Sequence, residues 1–147
     1  MTVTTTFKIE ELLPHRKPML LIDSVEEIIE DQAIVTKVFL DEDMIFFKGH
    51  FDGYPLLPGV ILIEMMYQSC GILDRFTNNN NNTESSKPRI GKAVGIKSAT
   101  FIREAKPNDT LIIKVKKINT IMNFKNFHAE IFVEDKLICK ADLTVTN

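Results

Sequence analysis

Glu64 stands in a stretch with almost no polar company: residues 58–73 are apolar on nearly every face of a helix, with Gln68 four residues on along the same side. Burying an unpaired charge is so costly that such a carboxyl either takes up a proton or finds partners, and both outcomes suit a general acid. Fourteen residues before it comes His50, in Gly49-His50-Phe51. An imidazole changes protonation state near neutral pH and is a natural base. The two types together make an acid and base pair.

The elements that must position this pair can be read from periodicity. Residues 7–13 suggest a short amphipathic turn or helix ending at Pro14. Segments 19–25 and 33–40, separated by an acidic turn, read as a β-hairpin. Residues 41–58, rich in Gly, Pro and Asp but also carrying Phe46, Phe47, Phe51, Tyr54, Leu56 and Leu57, form an ordered loop that wraps something. The apolar pattern predicts a helix over 58–76, with Pro58 acceptable at its start. The asparagine-rich segment 77–88 is polar and of low complexity, so it is expected to be a mobile loop. Alternation in 109–119, 124–134 and 137–146, with shorter runs at 90–96 and 98–101, marks further strands, and Glu134-Asp135-Lys136 reads as a hairpin turn. Two strands, a long apolar helix and about four more strands make an α+β pattern, an antiparallel sheet around one helix. A helix buried all round needs more cover than one sheet gives, so a dimer at least is expected.

Composition narrows the function classes. The 147 residues fit one domain, 1–147, and the 44% apolar and 26% charged content argues against disorder, a fibrous repeat or a membrane protein. A net charge of −2 excludes a strong non-specific nucleic-acid binder. The longest apolar stretch falls short of the roughly 20 residues a bilayer span needs. The N-terminus shows no basic region followed by an apolar block, which leaves the cytoplasm as the expected compartment. Cys70 and Cys139 offer neither a disulfide framework nor zinc-ligand spacing and are expected to be core thiols.

The strings Leu13-Pro14-His15-Arg16, Leu20-Leu21-Ile22-Asp23, Phe47-Lys48-Gly49-His50-Phe51, Pro58-Gly59-Val60-Ile61-Leu62-Ile63-Glu64, Gln68, Gly95-Ile96-Lys97, Phe101 and Pro107-Asn108-Asp109 span nearly the whole chain. In this order the chain resembles the FabZ-type (3R)-hydroxyacyl-[acyl-carrier-protein] dehydratases of the hotdog fold. The resemblance implies a sheet wrapped around the long central helix, a homodimer with the acyl tunnel at its interface, and His50 of one subunit facing Glu64 of the other. It also implies three dimers assembled as a hexamer in some members, an acyl carrier protein as partner, and no metal or organic cofactor. The implied reaction converts a 3-hydroxyacyl thioester to the trans-2-enoyl product. Glutamate rather than aspartate at position 64 points to elimination without double-bond isomerisation.

Within that frame, negative charge growing on the thioester oxygen is suited to the backbone N–H of Gly59 at the helix start. Gln68 is expected to orient the carboxyl, and Phe51, Tyr54, Pro58, Met65 and Tyr67 to border the tunnel. Asp52 stands where the family usually has proline, and Met65 and Tyr67 where it commonly has alanine, which points to short or unusual acyl chains. Arg89, Lys92, Lys97, Arg103 and Lys106 could form a basic docking patch for the acidic carrier. His15 and Arg16 are expected to serve packing or ion pairing, and His128 to be a strand residue. The alternatives are a hotdog thioesterase or coenzyme A hydratase, and a non-catalytic acyl-binding subunit; a buried acid and a histidine kept together speak against the last.

Overall fold

The computed structural model describes residues 2–3, 8–81 and 91–147. Its seven strands are β1 (Thr2–Val3), β2 (Ser24–Ile29), β3 (Ala33–Phe39), β4 (Lys92–Phe101), β5 (Thr110–Ile121), β6 (Phe124–Val133) and β7 (Lys136–Thr146), with α1 (Gly59–Asn81) between β3 and β4. They form one antiparallel sheet in the order β1-β2-β3-β5-β6-β7-β4. The sheet wraps the helix, as the hotdog fold requires. Alternation decides which face it presents: Ile34, Thr36 and Val38 on β3, Leu111, Ile113 and Val115 on β5, and Phe127, Ala129 and Ile131 on β6 are buried.

The β6–β7 turn lies at the expected place. Glu134 and Asp135 both have positive φ (48° and 65°), the conformation a two-residue hairpin loop needs to match the strand twist. Two boundaries differ from the sequence reading. The first strand of the β2–β3 hairpin starts at Ser24, not at residue 19, because Leu20, Leu21 and Ile22 are buried in succession rather than alternately. That segment packs on α1 as a loop, held by Gln68: the side-chain amide accepts from Leu21 N (3.0 Å) and donates to Met19 O (2.7 Å).

The second difference concerns the helix end. α1 runs to Asn81, five residues beyond Phe76, so the first part of the expected mobile loop is helical. A tertiary anchor accounts for this: buried Thr77 accepts from Asp31 N (2.9 Å) and donates to Leu73 O (2.8 Å), tying the helix to the β2–β3 turn. Residues 82–88 of that expected loop lie outside the described residues.

The helix is not covered on every side. Leu62, Met65, Met66, Cys70, Ile72 and Leu73 are buried, while Val60, Glu64, Tyr67, Gly71 and Asp74 form a half-covered or exposed stripe about one turn apart. The helix also buries polar groups only where they are satisfied; Ser69 Oγ lies 2.7 Å from Thr36 Oγ1 and donates to Met65 O. β4 closes the sheet as an edge strand, exposed at nearly every residue, with Val94, Ile96 and Phe101 uncovered.

Candidate active site

His50 sits in the loop between β3 and α1, and the loop is tightly self-bonded. Leu56 N donates to His50 O (2.8 Å), Phe51 N to Tyr54 O (2.9 Å) and Tyr54 N to Phe51 O (3.0 Å), while Leu57 N donates to Ala105 O (2.8 Å). Gly49 and Gly53 take positive φ (78° and 70°) that side chains disfavour, and Asp52 stands exposed in the turn between Phe51 and Tyr54. The half-buried imidazole places Nδ1 2.9 Å from Leu56 O. A carbonyl only accepts, so Nδ1 carries a proton and the neutral ring keeps its lone pair on Nε2. The Phe51 ring stacks on the imidazole with centroids 4.1 Å apart. Thus the loop fixes both the tautomer and the orientation of the imidazole.

Glu64 lies on the stripe of α1 that the sheet leaves uncovered. Its side chain is 29% exposed in the protomer, so the dry setting read from the sequence is not complete within one chain. Oε1 is 3.8 Å from His15 Nε2 and 3.5 Å from Gln68 Nε2. The latter is a long contact, and the shorter bonds of Gln68 go to residues 19 and 21. Gln68 is therefore a strut between helix and loop first, and a neighbour of the carboxyl second. Among the described residues, His15 Nδ1 is buried without a hydrogen-bond partner. Arg16 caps backbone instead of pairing with an acid: Nη1 donates to Leu13 O (2.9 Å) and His15 O (2.7 Å).

A cavity of about 150 Å³ opens beside Glu64, bordered by His15, Tyr67, Gln68, Gly71, Asp74 and Arg75 among others. Tyr67 lines it, and its hydroxyl donates to Gly95 O at 2.7 Å. Burial raises the pKa of this phenol. His50 does not line this cavity. Met65, expected at the tunnel border, is wholly buried and lines neither this cavity nor a second one at the helix start. That second cavity is bordered by Gly59, Leu62 and Phe101. A Cβ on Gly59 would meet Phe101 Cε1 at 2.7 Å, so any side chain there would require this half-exposed ring to move. Gly59 belongs to the first turn, whose amides have no carbonyl one turn back within the helix.

Phe51 and Tyr54 are each about half exposed and Pro58 is half-buried. The Tyr54 hydroxyl donates to Glu104 Oε2 (2.5 Å), and that carboxylate pushes the phenol's pKa upward. Of the basic residues, Arg89 lies outside the described residues; Arg103 donates to Leu137 O (2.6 Å) and Lys106 lies 4.0 Å from Glu104, while Lys92 and Lys97 are exposed on β4. His128 is a strand residue on β6, bonded through Nδ1 to Asp142 (2.8 Å), which lowers the Asp142 pKa. Cys70 and Cys139 are buried free thiols; burial raises the pKa of both, that of Cys139 to about 11. Among the described residues, no helix is long and apolar enough to cross a membrane, and no three His, Cys, Asp or Glu are grouped to hold a metal ion.

Sequence reasoning passed over Asp74 and Arg75 as site residues. Their spacing from Glu64, ten and eleven residues, is the signal that could have found them, because it returns to the same helix face.

Comparison with known proteins agrees with this architecture. A family model described as a FabA-like domain matches residues 13–142. The chain is 36% identical over 143 residues to the 3-hydroxyacyl-[acyl-carrier-protein] dehydratase FabZ of Coxiella burnetii, covering 97% of each. It is 34% identical over 138 residues to the protein of that name from Clostridioides difficile, covering 92% of each. It is also 37% identical over 138 residues to the bifunctional enzyme LpxC/FabZ of Chlorobaculum tepidum, of which it spans 28%. In fold it resembles the dehydratase heterocomplex ApeI:P from Xenorhabdus doucetiae, with a TM-score of 0.82, 22% identity, and 97% and 92% of the two chains covered. A thioesterase-type protein solved with coenzyme A from Streptococcus pneumoniae shares the fold more distantly, at a TM-score of 0.63 and 16% identity over 84% and 83% of the chains. With a family model over most of its length and near-full-length relatives above one-third identity, the chain belongs to the FabA-like family, in its FabZ-type branch.

Proposed function

We propose that this protein dehydrates a 3-hydroxyacyl thioester carried on an acyl carrier protein, giving the trans-2-enoyl thioester. The observation that carries the reading is the bond between His50 Nδ1 and Leu56 O, which leaves Nε2 as the basic nitrogen of a neutral ring. Nε2 removes a proton from C2, and charge builds on the thioester oxygen beside the N–H of Gly59 at the start of α1. The protonated carboxyl of Glu64 gives its proton to the hydroxyl on C3. The C3–O bond breaks, the C2=C3 bond forms, and water leaves.

The two groups meet between subunits. His50 lies outside the cavity that holds Glu64, and β4 offers an edge unpaired among the described residues, with Val94, Ile96 and Phe101 uncovered. Such an edge favours pairing with a second copy, which also covers the open stripe of α1 and dries Glu64. In this homodimer His50 of one protomer serves Glu64 of the other, with Phe51, Tyr54 and Pro58 at the mouth of the substrate path. Tyr67, held by Gly95, narrows the path of the acyl chain. Lys92 and Lys97 offer the carrier positive charge beside that edge.

Enoyl formation, followed by the ultraviolet absorbance of the conjugated thioester, tests the reading. His50→Ala and Glu64→Gln should each lower kcat by about 10²–10⁴-fold. Mixed dimers of the two variants contain one site with both lesions and one intact site, so they should recover activity. Full activity in either single variant would overturn the chemistry, and no recovery on mixing would overturn the shared site.

A further inference from the structure

His15 borders the cavity that holds Glu64, and its segment is fixed from behind: Arg16 Nη1 donates to Leu13 O and His15 O, while Met19 N (2.9 Å) and Leu20 N (3.1 Å) donate to Arg16 O. The two ring nitrogens meet different surroundings. Among the described residues Nδ1 is buried with no partner, and Nε2 stands 3.8 Å from Glu64 Oε1. For packing alone a histidine is a poor choice here, because an apolar ring of similar shape would leave no polar atom unmet. An orphaned N–H is rarer in folded proteins than an unmet acceptor, which puts the lone pair at Nδ1 and the hydrogen on Nε2, toward the carboxyl.

Backbone polarity fixes the other neighbour of Oε1. Leu21 N can only donate and Met19 O can only accept, so the Gln68 amide turns its oxygen to the first and its nitrogen to the second. That nitrogen has a second hydrogen to offer Glu64 Oε1, 3.5 Å away. Two N–H groups therefore converge on one carboxyl oxygen. Both contacts are long, so in the protomer they bias the direction of the carboxyl more than they bind it. Resting on the dehydratase reading and adding a residue to it, we propose that His15 is a positioning residue for the general acid: with Gln68 it makes Oε1 the accepting oxygen and leaves the transferable proton on Oε2. That proton passes to the C3 hydroxyl as the C3–O bond breaks and water leaves, and the carboxyl becomes an anion. An N–H interacts more strongly with a carboxylate than with the neutral acid. The help from His15 thus grows as the proton departs, which speeds the chemical step rather than tightening substrate binding.

Three variants, assayed by enoyl formation from a 3-hydroxyacyl-[acyl-carrier-protein], separate this role from a structural one. His15→Gln carries an N–H to the level of Nε2, His15→Asn carries one only to the level of Nδ1, and His15→Phe carries none. His15→Asn and His15→Phe should each lower kcat by about tenfold with KM little changed, the size of one hydrogen bond to a charged group, and His15→Gln should recover most of that loss. His15→Phe should unfold no earlier in denaturant than the wild type, because it removes an unmet polar atom. Added to Glu64→Gln it should cost little further turnover, since its effect runs through the carboxyl. Wild-type kcat in His15→Asn and His15→Phe overturns the positioning role and leaves the dehydratase reading intact. Equal losses in all three variants, or a full further loss on top of Glu64→Gln, overturn it in favour of packing. No turnover by the wild type overturns both readings. Should His15→Phe fail to fold, the contrast between His15→Gln and His15→Asn decides.

Discussion

The two faces of α1 differ in polarity in the sequence and meet opposite fates in the structure. On one, Met65, Met66, Cys70, Ile72 and Leu73 are sealed against the sheet. On the other, Val60, Glu64, Tyr67, Gly71 and Asp74 remain open or half-covered, and the last four border the cavity. The difference teaches that the helix is a core element on one side and a wall of the site on the other. Its sealed face fixes where its open face stands. A substitution on the first should act on folding, and one on the second on substrate.

The sharpest way to break this division is to damage the sealed face. Leu73→Ala removes a side chain that is 1% exposed and leaves a cavity beside the sheet, so a loss of about 2–5 kcal/mol is expected in denaturant unfolding. If the folded fraction keeps the wild-type KM, the sealed face serves stability alone. A loss near zero would mean that the helix is held by something other than this packing.

Much of this was legible beforehand because it depends on local chemistry. Alternation located β5, β6 and β7, and the Glu134-Asp135 turn announced the last hairpin. The failures share a physical origin in long-range contacts. Thr77 carries the helix beyond Phe76 because of a bond to the distant Asp31, and residues 19–23 leave the sheet because Gln68 supplies the partners a strand neighbour would have given. Glu64 and Asp74 mark the open side in the sequence, but the apolar residues between them do not declare theirs. Met65 and Tyr67 look equivalent as bulky replacements for alanine, yet one faces the core and the other the cavity. Two residues along a helix amount to about half a turn, and only the sheet's position decides which half is covered.

Gln68 sharpens the comparison because it belongs to both faces. It is 1% exposed, yet its amide serves the Met19–Leu21 loop and approaches Glu64. Gln68→Met keeps the volume and removes the bonds, stranding Leu21 N and Met19 O, which should cost about 1–3 kcal/mol in stability. It should also lower kcat more than it raises KM, because the carboxyl loses a neighbour that restricts its orientation. A variant that loses stability and keeps kcat would make Gln68 a strut only.

The smallest effect on stability is expected at Gly71, on the open stripe. A glycine inside a helix is less favourable than alanine by about 1 kcal/mol, so Gly71→Ala gains helix propensity. Against that, the new Cβ would stand 3.0 Å from Leu13 Cδ2, the end of a flexible side chain that can yield by a few tenths of an ångström. The two terms oppose each other at similar size, and the net change in unfolding free energy should fall within about 0.5 kcal/mol. The methyl nevertheless enters the cavity wall between Tyr67 and Asp74. Turnover should therefore fall for chains long enough to pass Gly71 and hold for the shortest substrate, a split that a merely structural glycine would not produce. Uniform loss across chain lengths would show that the stripe acts through the fold of the Leu13 segment rather than through contact with the chain.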